Sequence, residues 1–455
     1  MRRSLAGVAA LAITLSATSS IAQEKLAVFW ARGFYVSEDD TIYAAIKKYE
    51  RKSGIKVELS QFAAQDMIPK TLAALESGAP PDIAYADAFD MQAAGKWAFD
   101  GRLEDISDVI QPIRARFLPG TIEATHLYND KAKKRAYYGF PIKQQTLHVQ
   151  YWKDMLADAG FKENDIPWTW REHWAFWCDK VQPALRKAGG QDVFGVGRPL
   201  GVESSNSFQS FLSWVDAYNV KLVDDSGRLT VDDPKVKAGL VNALRDYTDV
   251  YAKGCTPPSS TGWKDGDADA AFNNRSVAMT HGYSISVATK WLDDANNRQL
   301  SAEQRAAGRR AYDDLIATEG LPAKPDGSPM SYRALVKTGV IFQDARNKAR
   351  ARDFLKLLLE EENLRPYVEG ALGRWFPVTK AGAESPFWQA DKHRKAVYQQ
   401  LRAGTRPFEF TRNYKFTLLN NENVWAKTMY RVTHGKVPVE KAVDELIARI
   451  KQVAG

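Results

Sequence analysis

The chain has 455 residues, with 63 basic against 55 acidic side chains (a formal net charge of +8) and 44% hydrophobic residues. That length exceeds the roughly 250–300 residues a single hydrophobic core encloses, so at least two domains are expected. The basic excess is dispersed: the short clusters Lys131–Arg135 and Arg305–Arg310 interleave no aromatics, so they read as solvated faces and argue against a nucleic-acid surface.

Met1, Arg2 and Arg3 precede an apolar run from Leu5 to Leu15, followed by the small and polar residues Ser16 to Ala22. That order predicts a secretory signal peptide over 1–22, cut between Ala22 and Gln23, with Ser20 and Ala22 as the small residues before the cut. The run has 11 residues, whereas a spanning helix needs about 20. No cysteine near the cut is available for lipidation, so the remaining 433 residues, at a formal +6, are expected free in a Gram-negative periplasm. No later stretch is apolar for long enough to span a membrane.

Beyond the leader, strand and helix signals alternate. Leu26–Trp30 reads as a strand and Ser37–Gly54 as a helix, with Glu38, Asp39 and Asp40 at its positive end and Ile42, Ala45, Ile46 and Tyr49 at helical spacing. Ile55, Val57 and Leu59 alternate as a strand; a helix over Asp66–Ser77, ended by Gly78, leads to the strand Asp82–Ala86. This alternation predicts a mostly parallel sheet covered by helices. The pattern resumes with a strand at Leu147–Gln150, a helix at Trp152–Gly160 and a longer helix at Thr169–Ala188, opened by a Thr169/Glu172 capping box. Trp170, Trp174 and Trp177 fall on one face of it as a core stripe. Ala442, Val443, Leu446, Ile447 and Ile450 form the apolar stripe of the last helix.

Motifs for chemistry are missing: there is no GxSxG, HExxH, phosphate-binding glycine loop or calcium loop, and Gly195, Gly197 and Gly201 are mis-spaced for a cofactor cradle. The six histidines form no i, i+4 pair and the two cysteines are too few for a zinc site, so neither metal nor cofactor is expected. Cys178 and Cys255 can form one disulfide if the fold brings their Cα atoms within about 4.4–6.8 Å.

Six segments in order carry a resemblance: AAIKKYERKSGIKVEL (44–59), PKTLAALESGAPPDIAYAD (69–87), YYGFPIKQQTLHVQYWKDMLADAGF (137–161), RSVAMTHGYS (275–284), EGALGRWFPV (369–378) and VTHGKVPVEKAVDELIARI (432–450). Together they resemble the extracellular solute-binding proteins of carbohydrate-type ABC importers, the group of the maltose- and glycerol-phosphate-binding proteins. The resemblance implies an α/β, two-lobed periplasmic binding protein fold, each lobe a mostly parallel sheet flanked by helices, with the ligand cleft between. It places crossings near 141–145, 317–322 and 361–364, hence one lobe from 23–142 and 322–362 and the other from 147–316 and 363–455. It also implies a monomeric, non-catalytic protein that closes on a carbohydrate and delivers it to the permease subunits of an importer.

Sugar sites combine flat aromatic faces with planar polar groups, and in open parallel sheets they lie beyond the strand ends. The candidates are therefore Trp30, Arg32 and Phe34 after the first strand, Tyr85 and Asp87 after the third, Gln144 and Gln145 at the first crossing, His281 and Tyr283 in the THGYS segment, and Arg374 and Trp375 in the GRWFP loop. His281 also reads as a satisfied core histidine, and here the segment, His281-Gly282-Tyr283, departs from the family's commoner Gly-Pro-Trp pattern. A carboxylate, phosphate or sulfonate on the ligand is expected if Arg32 and Arg374 both face the cleft. The alternatives are a secreted glycoside hydrolase or lyase, which needs only two carboxylates, or the same fold holding a polyamine or ferric ion.

Overall fold

The computed structural model describes residues 25–189 and 192–455; the leader over 1–22 and its cut lie outside the described residues. β1 (Lys25–Ala31), α1 (Val36–Ser53), β2 (Lys56–Phe62), α2 (Met67–Glu76) and β3 (Ile83–Ala86) follow in the order the pattern predicts. α1 buries Ile42, Ala45, Ile46 and Tyr49, and Gly54 ends it with a left-handed φ of 72°, a conformation that costs a residue with a Cβ about 1–2 kcal/mol.

The chain then reaches β4 (Phe140–Gln145), crosses through Thr146 and Leu147, and continues as β5 (His148–Trp152). β6 (Phe194–Gly197), α3 (Ser205–Ala217), β7 (Val277–Gly282), α4 (Ser286–Asn296) and β8 (Ile316–Glu319) complete the middle of the chain, and β9 (Leu335–Ile341) follows a second crossing. The first sheet runs β2-β1-β3-β9-β4 and the second β8-β5-β7-β6. β9 is antiparallel to both β3 and β4, and β5 is antiparallel to both β7 and β8. In each sheet the strand that runs against the rest is therefore the one entered directly from the other lobe.

Two large cores follow. One gathers residues from β1–β4 and β9 with Phe354, Leu358 and Leu364; the other gathers the 147–332 segment with Phe416, Trp425 and the stripe of α5 (Val439–Ala454), including Val443 and Ile450. The expected 363–455 segment divides between them: Leu364, Tyr367 and Val378 join the first core. Val368, Ala371, Trp375, Phe376, Trp388 and Val397 instead pack with Ile285 in a third, smaller cluster at the junction.

The helix expected over 169–188 forms with an internal irregularity: a π-helical stretch, Phe176–Val181, separates α-helical Trp170–Ala175 from Gln182–Lys187. Pro183 lies just after the wide turn, where its missing N–H leaves no α-type bond to break. The capping box at its start is not made, because the Thr169 hydroxyl bonds the Glu172 carboxylate instead of accepting a backbone amide. Cys178 in the π-helical turn is disulfide-bonded to Cys255, their Cα atoms 5.2 Å apart. No helix among the described residues is long and apolar enough to cross a membrane.

Candidate functional site

Between the lobes lies a cavity of about 880 Å³ whose walls come from both, within the usual range for small-molecule sites. From the first lobe it is lined by Phe34, Asp87, Met91, Lys337, Arg374 and Trp375 among others; from the second by Asn206, Gln209, Asp269, Tyr283, Ser284 and Asn420 among others. The lobes touch at its margins. Tyr35 Oη donates to Thr289 Oγ1 at 2.9 Å, Gln209 Nε2 lies 3.2 Å from Met91 Sδ, and Asn421 Nδ2 donates to the Gln92 carbonyl at 3.0 Å.

The first-lobe wall is built on the acidic start of α1. Glu38, fully buried, accepts the amides of Phe34 and Tyr35 at 3.0 and 3.2 Å through Oε1. Its Oε2 accepts from Lys143 Nζ at 3.0 Å. The residues that read as a helix-dipole cap thus also shape the loop carrying Phe34. Lys143 lies 3.6 Å from Asp87 Oδ1 and 4.2 Å from the centre of the Trp375 ring. Burial opposes its charge, but Asp87 and Glu38 more than offset that and its pKa is raised. Asp87 is the converse: burial pushes it up, Lys143, Lys337 and Arg374 pull it down, and the balance is a lowered pKa. Asp90, with neither carboxylate oxygen hydrogen-bonded, is raised to about 6 by burial, which Lys337 at 3.6 Å only partly opposes.

Arg374 stacks over Phe34 at 4.3 Å and Trp375 at 4.4 Å, and Phe34 remains 62% exposed at the mouth. On the second lobe, Asp265 accepts from Ser204 Oγ, Ser205 Oγ and Asn206 N at 2.6, 2.6 and 3.0 Å, which fixes the loop entering α3. Tyr283 shares a 3.0 Å hydrogen bond with Ser213, and burial pushes its hydroxyl up to about 12.

Of the sequence candidates, Phe34, Asp87, Gln145, His281, Tyr283, Arg374 and Trp375 line this cavity. Trp30, Tyr85 and Gln144 do not. Trp30 is core, its Nε1 donating to Tyr367 Oη at 3.0 Å and its ring 4.4 Å from Tyr85. Tyr85, also fully buried, donates to Asp87 Oδ1 at 2.6 Å, so it positions a lining carboxylate from behind. Gln144 donates to the Pro377 carbonyl at 2.7 Å and exchanges backbone bonds with Phe376, clamping the GRWFP loop to β4. Arg32 is exposed and outside the cavity lining, which removes it from the pair on which an anionic ligand was expected.

His281 lines the cavity, but its ring belongs to a buried aromatic box. Its Nε2 accepts from Arg198 Nε at 3.1 Å, and Arg198, fully buried, sits 4.6, 4.3 and 4.8 Å from the rings of Trp174, Trp214 and Tyr247. Burial and the Arg198 charge hold His281 well below the usual histidine range, hence neutral. Lys143, Lys337 and Arg198 escaped the sequence reading, which placed Glu38 only at the start of the helix. For Lys143 a signal existed: it shares strand parity with Gln145, and Gln144 has the opposite parity. Among the described residues no group of three or more His, Cys, Asp or Glu side chains is placed to hold a metal ion.

None of the curated proteins matches the chain by sequence. The fold is similar to that of an ABC transporter solute-binding protein from Thermotoga lettingae solved with α-D-tagatose, at a TM-score of 0.73 and 19% identity over 95% of this chain and 100% of that one. It is also similar to the GacH receptor of Streptomyces glaucescens, solved unliganded and with acarbose (TM-score 0.71, 16% identity, 95% and 98% covered). A third likeness is to the sugar-binding protein MalE of Xanthomonas citri (0.69, 19%, 94% and 97%). The sequence itself matches the bacterial extracellular solute-binding protein family over residues 44–396. With that match spanning well over half of the chain, the protein belongs to the bacterial extracellular solute-binding protein family.

Proposed function

We propose that the protein is exported through its N-terminal leader, captures a carbohydrate in the periplasm by closing its lobes, and presents it to the permease subunits of an ABC importer without altering it. The observation that carries this reading is the cavity of about 880 Å³ walled by both lobes: a ligand held from both sides favours the closed arrangement by its differential contact with it, and a partner can read that shape. Phe34 offers an exposed aromatic face at the mouth, and Gln145, Asn206 and Gln209 supply amide groups to the lining, the combination that hydroxyl-rich ligands require. The sugars named in the solved relatives, tagatose and acarbose among them, support the same class.

Purified protein, screened by thermal shift against sugars with the mixtures analysed for products, tests both halves of the reading. Stabilisation by a sugar recovered unchanged is the expected result. Turnover of the sugar would refute the non-catalytic half, and stabilisation by polyamine or ferric ion alone would refute the carbohydrate half.

A further inference from the structure

The cavity is polarised. Each carboxylate that lines it is already engaged within its own lobe: Asp87 by Tyr85, Asp265 by Ser204, Ser205 and Asn206, Asp269 by Ser286 at 2.5 Å, Glu422 by Arg449, and Glu203 by Lys264 at 3.7 Å. Of the two cations that line it, Arg374 is not so engaged: its side chain makes no hydrogen bond or ion pair among the described residues, and its Nε is buried without a partner. Lys337, 2% exposed, is ion-paired to Asp90, its Nζ 3.6 Å from Oδ2.

Both cations flank one ring, Arg374 at 4.4 Å and Lys337 at 5.8 Å from the Trp375 centroid, and Trp375 Nε1 is a second buried donor without an acceptor. Two unmade donors at one indole, one of them charged and with the Lys337 charge beside them, require an acceptor-rich group to complete them, because a buried donor left unmade carries its full desolvation cost, the more so when charged. Resting on the carbohydrate reading above, we infer that the ligand is an acidic sugar, held by a carboxylate or phosphate against Arg374, Lys337 and Trp375 Nε1. The rest of it extends towards the second lobe, where Asp269, Ser284 and Asn420 meet its hydroxyls.

The test measures binding to the full chain by calorimetry and thermal shift. The probes are glucuronate, galacturonate and glucose 6-phosphate, each against its uncharged parent, glucose or galactose, with digalacturonate against galactobiose as the longer pair. An acidic probe is expected to bind at least about tenfold more tightly than its parent, with affinity falling as salt rises, and the uronate and phosphate arms separate the two anions. Arg374→Gln, a change at a half-buried residue, is expected to remove most of that preference, whereas Arg32→Gln, at an exposed arginine outside the cavity lining, is expected to preserve it. Equal binding of acids and parents, or a preference that survives Arg374→Gln, overturns the inference and leaves the carbohydrate reading standing. Binding by none of these sugars overturns both. Loss of the preference in Arg32→Gln as well would mean that it reflects the charge of the surface and not the Arg374 site, which also overturns the inference.

Discussion

Phe34 and Trp375 show how differently two aromatics of one cavity contribute. Phe34 is 62% exposed and Trp375 2%. Phe34→Ala removes little that the unliganded fold uses, so the melt without ligand is expected to change by less than about 0.5 kcal/mol while ligand-induced stabilisation shrinks. Trp375→Ala empties part of the junction cluster and strips Lys143 and Arg374 of a ring face. It is expected to cost about 3–5 kcal/mol in denaturant unfolding; a loss below about 1 kcal/mol would show that the ring is dispensable to packing. Residue types and motif positions made seven of the site candidates legible. What the sequence did not display was side-chain direction. Gln144 and Gln145 were equivalent as letters, but strand parity sends only Gln145 into the cavity, and Lys143, of the same parity, lies buried behind the wall against Glu38 and Asp87. Arg198 was invisible for another reason: a buried guanidinium is stabilised by rings from Trp174, Trp214 and Tyr247, which are distant in sequence.

At the scale of elements, the alternating strands and helices of residues 25–86 were readable because each has a clean period and a glycine or acidic terminus. The 169–188 helix was readable as a helix but not in its π-helical turn, since hydrophobic period and capping residues do not report a local change of hydrogen-bond step. That turn carries Cys178, whose bridge to Cys255 closes a loop with a sequence separation of 77. Chain-entropy reasoning assigns such a loop about 4 kcal/mol. The Cys178→Ser/Cys255→Ser variant is therefore expected to unfold at markedly lower urea, with reductant reproducing the loss in the parent; a shift below about 1 kcal/mol would show that the bridge constrains little. Gly195 fixes how closely β6 passes this turn, since a Cβ there would lie 2.3 Å from the Trp177 carbonyl oxygen and 3.0 Å from Cys255 Sγ.

Across the whole molecule, the four buried histidines share one condition. Burial holds His148 at about 3, and His173 and His393 at about 4, with His281 lower than usual as well. In the unfolded chain each titrates near 6.5, so between about pH 6.5 and 4 the unfolded state binds more protons than the folded one. Stability then rises with pH and is lost on acidification, by up to about 1.4 kcal/mol per pH unit for each histidine. Asp90 works against this, because a folded pKa of about 6 makes the folded state the better proton binder between about 4 and 6. The histidines outnumber it, and the melting temperature is expected to fall steadily from pH 6.5 to 4. A flat profile would show that these rings are protonated in the native state.

The placing of each sheet's antiparallel strand has a consequence for the order of folding. The first sheet inserts β9, residues 335–341, between β3 and β4, so a chain emerging from its N-terminus holds two unjoined sheet halves until three quarters of it is out. The second sheet is complete by residue 319, but its core still awaits helices up to Ala454. Neither lobe is a vectorial folding unit; each is finished by chain that arrives after the other has been threaded. On this topology neither lobe can close its core until nearly all of the chain is available, and the two are expected to be completed together.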